Sequence, residues 1–437
     1  MTGDVRIGEA REGFGHVRRE IADWVAETGR RGPAGAHLSR LGTLQQILGE
    51  TLDGIAGTLS PEATGPLDLA GGYALARATD KRVLFCRRLF RWYALRFDQR
   101  ADAGLGRCLA GADEVVWSVW ERTFTAAGIP RRPAPLCFVD NDPIPWASLH
   151  GVLPGEAQPP SRDAFLTDRI RELPLPVVGL PPIVARRPWW LVAAIHETGH
   201  HLQYTLAEDL VDEVSAALFD AAGQAGAKPA EQRQWSDWGA ELFADAFAAA
   251  FAGAPSVWAI TELERAAPDP LETRPTYPPA QVRLRLAATL VAETGAAEPA
   301  FTLTDGAAVD TTAVAGLLTR VPTIVEALLD HPLGATSLRT LAGDGRALSQ
   351  AQARWAVDLG VGKAVASQTL EAAAACVGGA VRAWQAGDGA DPAPLRDHVL
   401  AVLPDCRPDG SRVAATDGAP GAAQALIDAV FDPGAPL

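Results

Sequence analysis

Two histidines, His196 and His200, stand four positions apart in the segment HETGH, with Glu197 directly after the first. In an α-helix, positions i and i+4 share a face, so both imidazoles can reach one metal ion. Glu197 then lies beside the pair, where a carboxylate can deprotonate a zinc-bound water. His201 points about 100° away around the helix, so we expect it to support the site or face solvent. The spacing predicts a hydrolytic zinc site.

A catalytic zinc usually has three protein ligands, so the sequence has to supply one more. A third histidine in the extended motif HExxHxxGxxH is excluded, because Gln203 and Leu206 stand where that motif needs Gly and His. The later segment WGAELFADAF places Glu241 and Asp245 on one face of a second helix. We expect Glu241 to bind the metal and Asp245 to accept the outer N–H of a ligating histidine.

Spacing alone leaves three other acidic residues open as the third ligand, because Asp237, Asp245 and Glu213 also follow HETGH. Only Glu241 has a second carboxylate one turn later in an otherwise apolar stretch, where a buried acid without a partner would be costly. Glu213 belongs to EDLVDEV, which is typical of a solvated helix face. Glu241 is therefore preferred.

Helices and a small sheet have to position these residues. The segment PWWLVAAIHETGHHLQYTL predicts an apolar helix that begins at Pro188. A second helix is predicted over residues 207–224 and a third from Glu231 to Phe251. Residues 135–185 form short β-branched or aromatic runs cut by Pro and Gly, which predicts a small, mostly antiparallel sheet.

The combination of HETGH and ELFAD resembles the gluzincin zinc metallopeptidases over roughly residues 174–290. Within that group, ExxAD followed by a proline-containing segment and an arginine, here TYPPAQVRLRL, is similar to the HtpX-type peptidases and their minigluzincin relatives. The resemblance implies a zinc-dependent endopeptidase that hydrolyses peptide bonds with a zinc-bound water activated by Glu197. It also implies an α+β, zincin-like metallopeptidase core.

The TYPPAQVRLRL segment supplies two further candidate residues. Tyr277 stands where the family usually has a histidine before the proline. Its hydroxyl, or that of Tyr204, can donate a hydrogen bond to the oxyanion that forms during hydrolysis. Tyr277 is equally compatible with a packed turn. Arg283 either pairs with an active-site carboxylate or supports helix packing.

Other functions stay open. ELFADAFA also resembles the ExxA[ND]xFA helix of ImmA/IrrE-type peptidases, which cleave transcriptional repressors, although the gap between His200 and Glu241 is longer here. The chain could also be an amidase for another amide, a latent enzyme, or a non-catalytic zinc-containing regulatory or interaction protein. The presence of Glu197 argues against a non-catalytic protein, because a structural zinc site needs no carboxylate beside its first ligand.

The length of 437 residues predicts more than one domain. Residues 1–130 are expected to form a helical N-terminal domain and residues 131–290 the zincin-like domain. Residues 291–437 are expected to form a helical C-terminal domain with a loop-rich tail. The predicted fold is therefore an α+β metallopeptidase core, a small sheet plus active-site helices, flanked by helical domains.

Composition excludes several partners. The chain has 53 acidic and 39 basic residues and a net charge of −14, which argues against nucleic acid and anionic membranes as partners. Five scattered cysteines form no CxxC pair, so neither a disulfide framework nor a cysteine metal site is expected. The sequence lacks a signal-peptide pattern and a long apolar run, so a cytoplasmic location is expected. Expected partners are a polypeptide substrate and a regulatory protein bound by the helical flanks.

Overall fold

The structure is a computed structural model that describes residues 3–30, 37–60, 67–130, 132–147, 165–166, 168–170, 173–265, 269–303, 311–387, 389–407, 419–435 and 437. This part of the chain is mostly helical and contains a small three-stranded sheet and a two-stranded one. The predicted α+β character is confirmed. The chain divides into two compact units, which are described separately.

The described helices are, in chain order, α1 (Gly3–Arg30), α2 (Leu38–Gly57), α3 (Leu69–Asp98), α4 (Ala103–Ala127), α5 (Ala193–Thr205), α6 (Leu210–Gln224), α7 (Pro229–Asp237), α8 (Gly239–Ala252), α9 (Ala254–Glu264), α10 (Ala280–Glu293), α11 (Ala315–Asp330), α12 (Leu338–Ala342), α13 (Gly345–Gly360), α14 (Ala372–Ala386), α15 (Pro392–Val402) and α16 (Ala419–Phe431). The strands are β1 (Leu136–Val139), β2 (Trp146–Ala147), β3 (Val177–Leu180), β4 (Pro332–Leu333) and β5 (Thr336–Ser337).

The first unit comprises Met1–Gly106, Ser148–Pro176 and Gly410–Leu437. Within it, α1 packs against α2 and α3, and α16 packs against α2. Asp68 caps α3, because its carboxylate accepts a hydrogen bond from the Gly71 backbone N–H at 2.7 Å. This unit is a helical assembly that includes both ends of the chain.

The second unit comprises Arg107–Ala147 and Val177–Asp409, and it contains both predicted metal-binding motifs. Helix α8 lies at its centre and packs against α5, α6, α9, α10 and α12. From Leu242 to Ala252 every residue of α8 is buried. A helix that is apolar all round is typical of a core position, and here it places ELFAD inside the unit.

The three-stranded sheet has the order β1-β3-β2. Strand β1 pairs with β3 in parallel, with Leu136 opposite Val177, and β2 pairs with β3 antiparallel, with Trp146 opposite Gly179. The prediction of a mostly antiparallel sheet was wrong for the longer pair. The pattern of apolar residues indicates a strand but not its direction, which depends on the connection between strands. A long connection separates β1 from β3, and such a connection allows parallel pairing.

The predicted helix over residues 231–251 was wrong in one respect, because it is two helices, α7 and α8, that meet at Trp238. Gly239 begins α8 where this helix packs against α6. A Cβ atom at Gly239 would lie 2.9 Å from the Ser215 hydroxyl oxygen. A side chain at the first residue of α8 would therefore displace the Ser215 hydroxyl.

The two units differ from the three predicted ranges, 1–130, 131–290 and 291–437. Helix α4 from Arg107 onward and the helices from α11 to α15 belong to the same unit as the two motif-bearing helices, whereas α16 packs on α2. Proline- and glycine-rich breaks mark where helices end. They carry no information on which helices pack together, so a composition-based division misses this arrangement.

Among the described residues, one helix, Thr312–Asp330, is long and apolar enough to cross a membrane by length and composition. Core helices of soluble proteins pass the same test. Val321, Ile324 and Leu328 of this helix are buried in the hydrophobic core of the second unit. The observation gives no support to a membrane span, and the location of the protein stays a prediction.

Candidate metal centre

Helix α5, which carries HETGH, is anchored at its start. A 3-10 helix, Pro188–Val192, leads into it, so the α-helix begins at Ala193 and not at Pro188 as predicted. Trp189 in this turn is buried and stacks on Trp384 of α14, with ring centroids 4.9 Å apart and an interplanar angle of 20°. Such aromatic stacking adds to the free energy gained by burial. The N-terminal end of α5 is therefore fixed in the core.

His201 connects α5 to the sheet. Its side chain is buried, and Nε2 lies 2.8 Å from the carbonyl oxygen of Val177 in β3. A carbonyl oxygen only accepts, so Nε2 is the donor. His201 thus supports the site, which is one of the two predicted roles, and the alternative surface position was wrong.

Gly199 allows α5 to pack closely against α8. A Cβ atom at Gly199 would lie 3.0 Å from Cα of Ala244 and 3.1 Å from Cβ of Phe247. One turn later, Gln203 Nε2 donates a hydrogen bond to the Ala240 carbonyl oxygen at 2.8 Å. These contacts bring the HETGH and ELFAD faces together.

His196, His200 and Glu241 converge. The two Nε2 atoms are 3.1 Å apart, and Glu241 Oε2 lies 3.5 Å from His196 Nε2 and 3.4 Å from His200 Nε2. Donor atoms about 2.0–2.1 Å from a tetrahedral zinc are about 3.3 Å from one another, so these separations fit. Glu241 Oε2 is buried and accepts no hydrogen bond within the described part of the chain. The group could hold a metal ion.

Asp245 lies behind His196 and is completely buried. Its Oδ1 is 2.9 Å from His196 Nδ1, which leaves Nε2 directed at the other donors. Arg283 of α10 donates to the same carboxylate twice, from Nε at 2.6 Å and from Nη2 at 2.8 Å. Bidentate pairing of this kind fixes the plane of a carboxylate. Asp245 and Arg283 thus lie where supporting residues were predicted.

Glu197 is buried beside the group, with 5% of its surface exposed. Burial raises the pKa of Glu197, although the imidazoles of His196 and His200 act in the opposite direction. A carboxylate with a raised pKa can take up a proton and return it within one reaction, which suits the predicted role of general base.

The two metal-facing groups have opposite pKa shifts. Burial lowers the pKa of His196, but the carboxylates of Asp245 and Glu241 outweigh this effect and raise it to about 10. Burial acts to raise the pKa of Glu241, but the charge of His200 and the proximity of both imidazoles hold it well below its usual range. The site therefore keeps Glu241 ionised, which is the form that binds a cation.

Two tyrosines lie near Glu241. Burial and the charge of the nearby Glu241 carboxylate raise the pKa of Tyr277 above its ordinary value. Burial and the charges of Asp212 and Glu241 also raise the pKa of Tyr204. Both phenols stay protonated at neutral pH and can donate.

Two of the alternative third ligands lie outside the group. Asp237 is exposed at the end of α7. Glu213 is also largely exposed, with its carboxylate 3.8 Å from His331 Nε2. The third alternative, Asp245, contacts Nδ1 of His196 and not Nε2. Of the four acids considered, Glu241 is the one grouped with the histidines.

Glu264 and Arg274 are part of the site and were not predicted. Arg283 Nη1 donates to Glu264 Oε1 at 2.8 Å, and Arg274 Nη2 donates to both Glu264 oxygens at 2.8 and 2.9 Å. These residues come from α9 and from the segment before α10. Their partners lie in other elements, so no local spacing in the sequence reveals the network.

No protein-family model, no curated protein and no solved structure matches this chain. The site gives the class that can be stated: the chain has a largely buried group of two histidines and a glutamate that could hold a metal ion.

Proposed function

We propose that the chain is a zinc-dependent endopeptidase with a zincin-like core. The observation that carries the proposal is the convergence of His196, His200 and Glu241 at tetrahedral donor spacing, with Glu197 buried beside them. A donor set of two imidazoles and one carboxylate is typical of catalytic zinc, because it leaves a coordination position for water. Structural zinc sites normally have four protein ligands, which argues for catalysis.

Each residue of the centre has a separate role in the proposed hydrolysis. Zinc, when bound, would supply Lewis acidity toward the scissile carbonyl and the attacking water. Glu197 takes a proton from that water and delivers it to the leaving amine. Tyr277 donates its hydroxyl hydrogen to the oxyanion of the tetrahedral intermediate. Asp245 holds the His196 ring in the orientation that the donor set needs.

The sheet supports a polypeptide as substrate. Helix α5 contacts both β3 and β2, and β2 is an edge strand antiparallel to β3. An edge strand offers unpaired backbone groups to which an extended peptide can add. Such a substrate is an unfolded chain or an exposed loop, and hydrolysis of its peptide bonds is the reaction proposed.

The test is digestion of a peptide library by the wild-type protein and by Glu197→Gln, with zinc measured in both. Loss of a general base predicts at least about a hundredfold lower turnover with unchanged zinc content. The matched control is Glu213→Gln, an exposed acid outside the group, which should cleave like the wild type. A Glu197→Gln protein that cleaves at the wild-type rate would refute the assignment. Absence of cleavage by the zinc-loaded wild type would favour a non-catalytic metal protein.

A further inference from the structure

The ring of Tyr277 contacts two arginine side chains. Cζ of Arg274 and Cζ of Arg283 are each 4.8 Å from the centroid of this ring. Guanidinium groups at this distance are attracted to the face of an aromatic ring. The two contacts restrict the ring, and with it the direction of the hydroxyl.

One carboxylate, that of Glu264, holds both arginines. It accepts from Arg274 through both oxygens and from Arg283 through one. Its side chain is only 3% exposed. The charged groups of Asp245, Arg283, Glu264 and Arg274 alternate in sign, so the buried network is neutral and each charge has a partner.

The segment that carries Tyr277 depends on these contacts for its position, because residues 269–279 form neither helix nor strand. Two backbone contacts add to them. Trp238 Nε1 donates to the Arg274 carbonyl oxygen at 3.2 Å, and the Arg274 N–H donates to the Tyr277 carbonyl oxygen at 3.3 Å. Arg274 is therefore fixed at both its backbone and its side chain, directly beside the tyrosine.

We infer that Glu264 and Arg274 are positioning residues that hold the Tyr277 ring, and with it the hydroxyl, beside Arg283, which binds Asp245 of the metal centre. The inference rests on the proposed function for what Tyr277 does in the reaction, and on the contacts above for where it lies. An oxyanion donor has to be placed within a fraction of an ångström, and such precision comes from supporting residues that lock its orientation.

The roles of Glu264 and Asp245 are separable. When Glu264 is neutralised, Arg283 keeps both of its hydrogen bonds to Asp245, so the support behind His196 remains. The direct effect then falls on Arg274 and on the ring that it covers. Arg274 is the better exposed partner, with 35% of its side chain accessible, so its removal leaves a smaller buried defect.

The experiment measures the acetylation rate of individual tyrosines by N-acetylimidazole, read by peptide mass spectrometry on the full chain. Glu264→Gln and Arg274→Ala should each raise the rate at Tyr277 at least about tenfold, because the ring is free to leave its position. Tyr204 of the same molecules is the internal reference and should react at an unchanged rate. The matched control is Glu262→Gln on the same helix, which removes a surface pair with Arg265.

A second measurement addresses the positioning of the reacting groups. With a cleavable peptide, Arg274→Ala should lower kcat with little change in KM, and Arg274→Lys should restore part of the loss.

Unchanged acetylation of Tyr277 in a folded Arg274→Ala protein overturns the inference, whatever the outcome for Glu264→Gln. An equal rise at Tyr204 also overturns it, because that indicates general loosening. Acetylation requires no hydrolysis, so a failure of the proposed peptidase activity is distinguishable from a failure of this inference.

Discussion

Nδ1 of His196 lies 2.9 Å from Oδ1 of Asp245, on the side of the ring away from His200 and Glu241. The two nitrogens of one imidazole therefore have separate tasks. In the neutral ring the proton stays on Nδ1, where a carboxylate accepts it, and the lone pair of Nε2 is directed at the other donors. Arg283 holds the carboxylate from behind, so the orientation of His196 is set by protein contacts alone.

We expect the purified chain to hold about one zinc ion, as the tetrahedral spacing of its donors indicates. His196→Ala and His200→Ala should each abolish this content, measured by elemental analysis after dialysis. His201→Gln is the control, since it alters the neighbouring histidine and keeps a donor for the Val177 carbonyl oxygen. Full zinc occupancy in the double alanine variant would rule out this centre.

The structure predicts unequal effects for the two carboxylates of ELFAD. Glu241→Gln replaces a zinc ligand and should weaken zinc binding by more than about a hundredfold. Asp245→Asn changes only the hydrogen bond to the ligand His196 and should weaken zinc binding about 10–100-fold. Competition with a chelator of known affinity measures both. The reverse order, with Asp245→Asn the more damaging, would make Asp245 the ligand. That result would undo the proposed donor set.

Zinc affinity should rise with pH. The pKa of His196 is raised to about 10 in the metal-free protein, so its ring is protonated at neutral pH, and zinc has to displace this proton. Affinity should increase up to about tenfold per pH unit below that pKa. Calorimetry in buffers of different ionisation enthalpy should detect proton release at pH 8.

The stability of the metal-free protein should change with pH in the opposite direction. The raised pKa of His196 contributes stability that is present below about pH 6.5 and lost as pH rises through about 10.

Gly199→Ala should destabilise the protein, although alanine normally favours a helix over glycine. The new methyl group would lie 3.0 Å from Cα of Ala244 and push α5 away from α8. We expect a loss of about 1–3 kcal/mol in the free energy of unfolding, measured by urea denaturation. Gly49→Ala in α2 is the control, because nothing lies within 4 Å of its Cβ position. If both variants had the same stability, the close helix contact would have no energetic role.

The features of the centre that the sequence predicted are those with local spacing. His196 and His200 are one turn apart on a helix, and Glu241 and Asp245 repeat that spacing on another. Helical periodicity alone places each pair on one face. The close contact between the two helices at Gly199, whose Cβ position lies 3.0 Å from Cα of Ala244, is a finding of the structure.

The remaining features depend on long-range packing. Glu264 and Arg274 carry no recognisable motif, because the arginine that links them to Asp245 comes from a third element. The parallel direction of β1 and β3 follows from the path of the chain between them. The position of α16 against α2 joins segments almost a whole chain length apart. A pattern in one window of sequence contains none of this information.

The stack of Trp189 on Trp384 limits how the protein can be divided. Trp384 belongs to α14, far beyond the segment that bears both motifs, yet its ring covers the turn from which the metal-binding helix starts. A fragment ending before α14 would leave a buried indole facing water and the N-terminal end of α5 without its anchor. Residues 131–290 alone would therefore not keep the structure of the centre if they were expressed as a fragment or transferred to another protein.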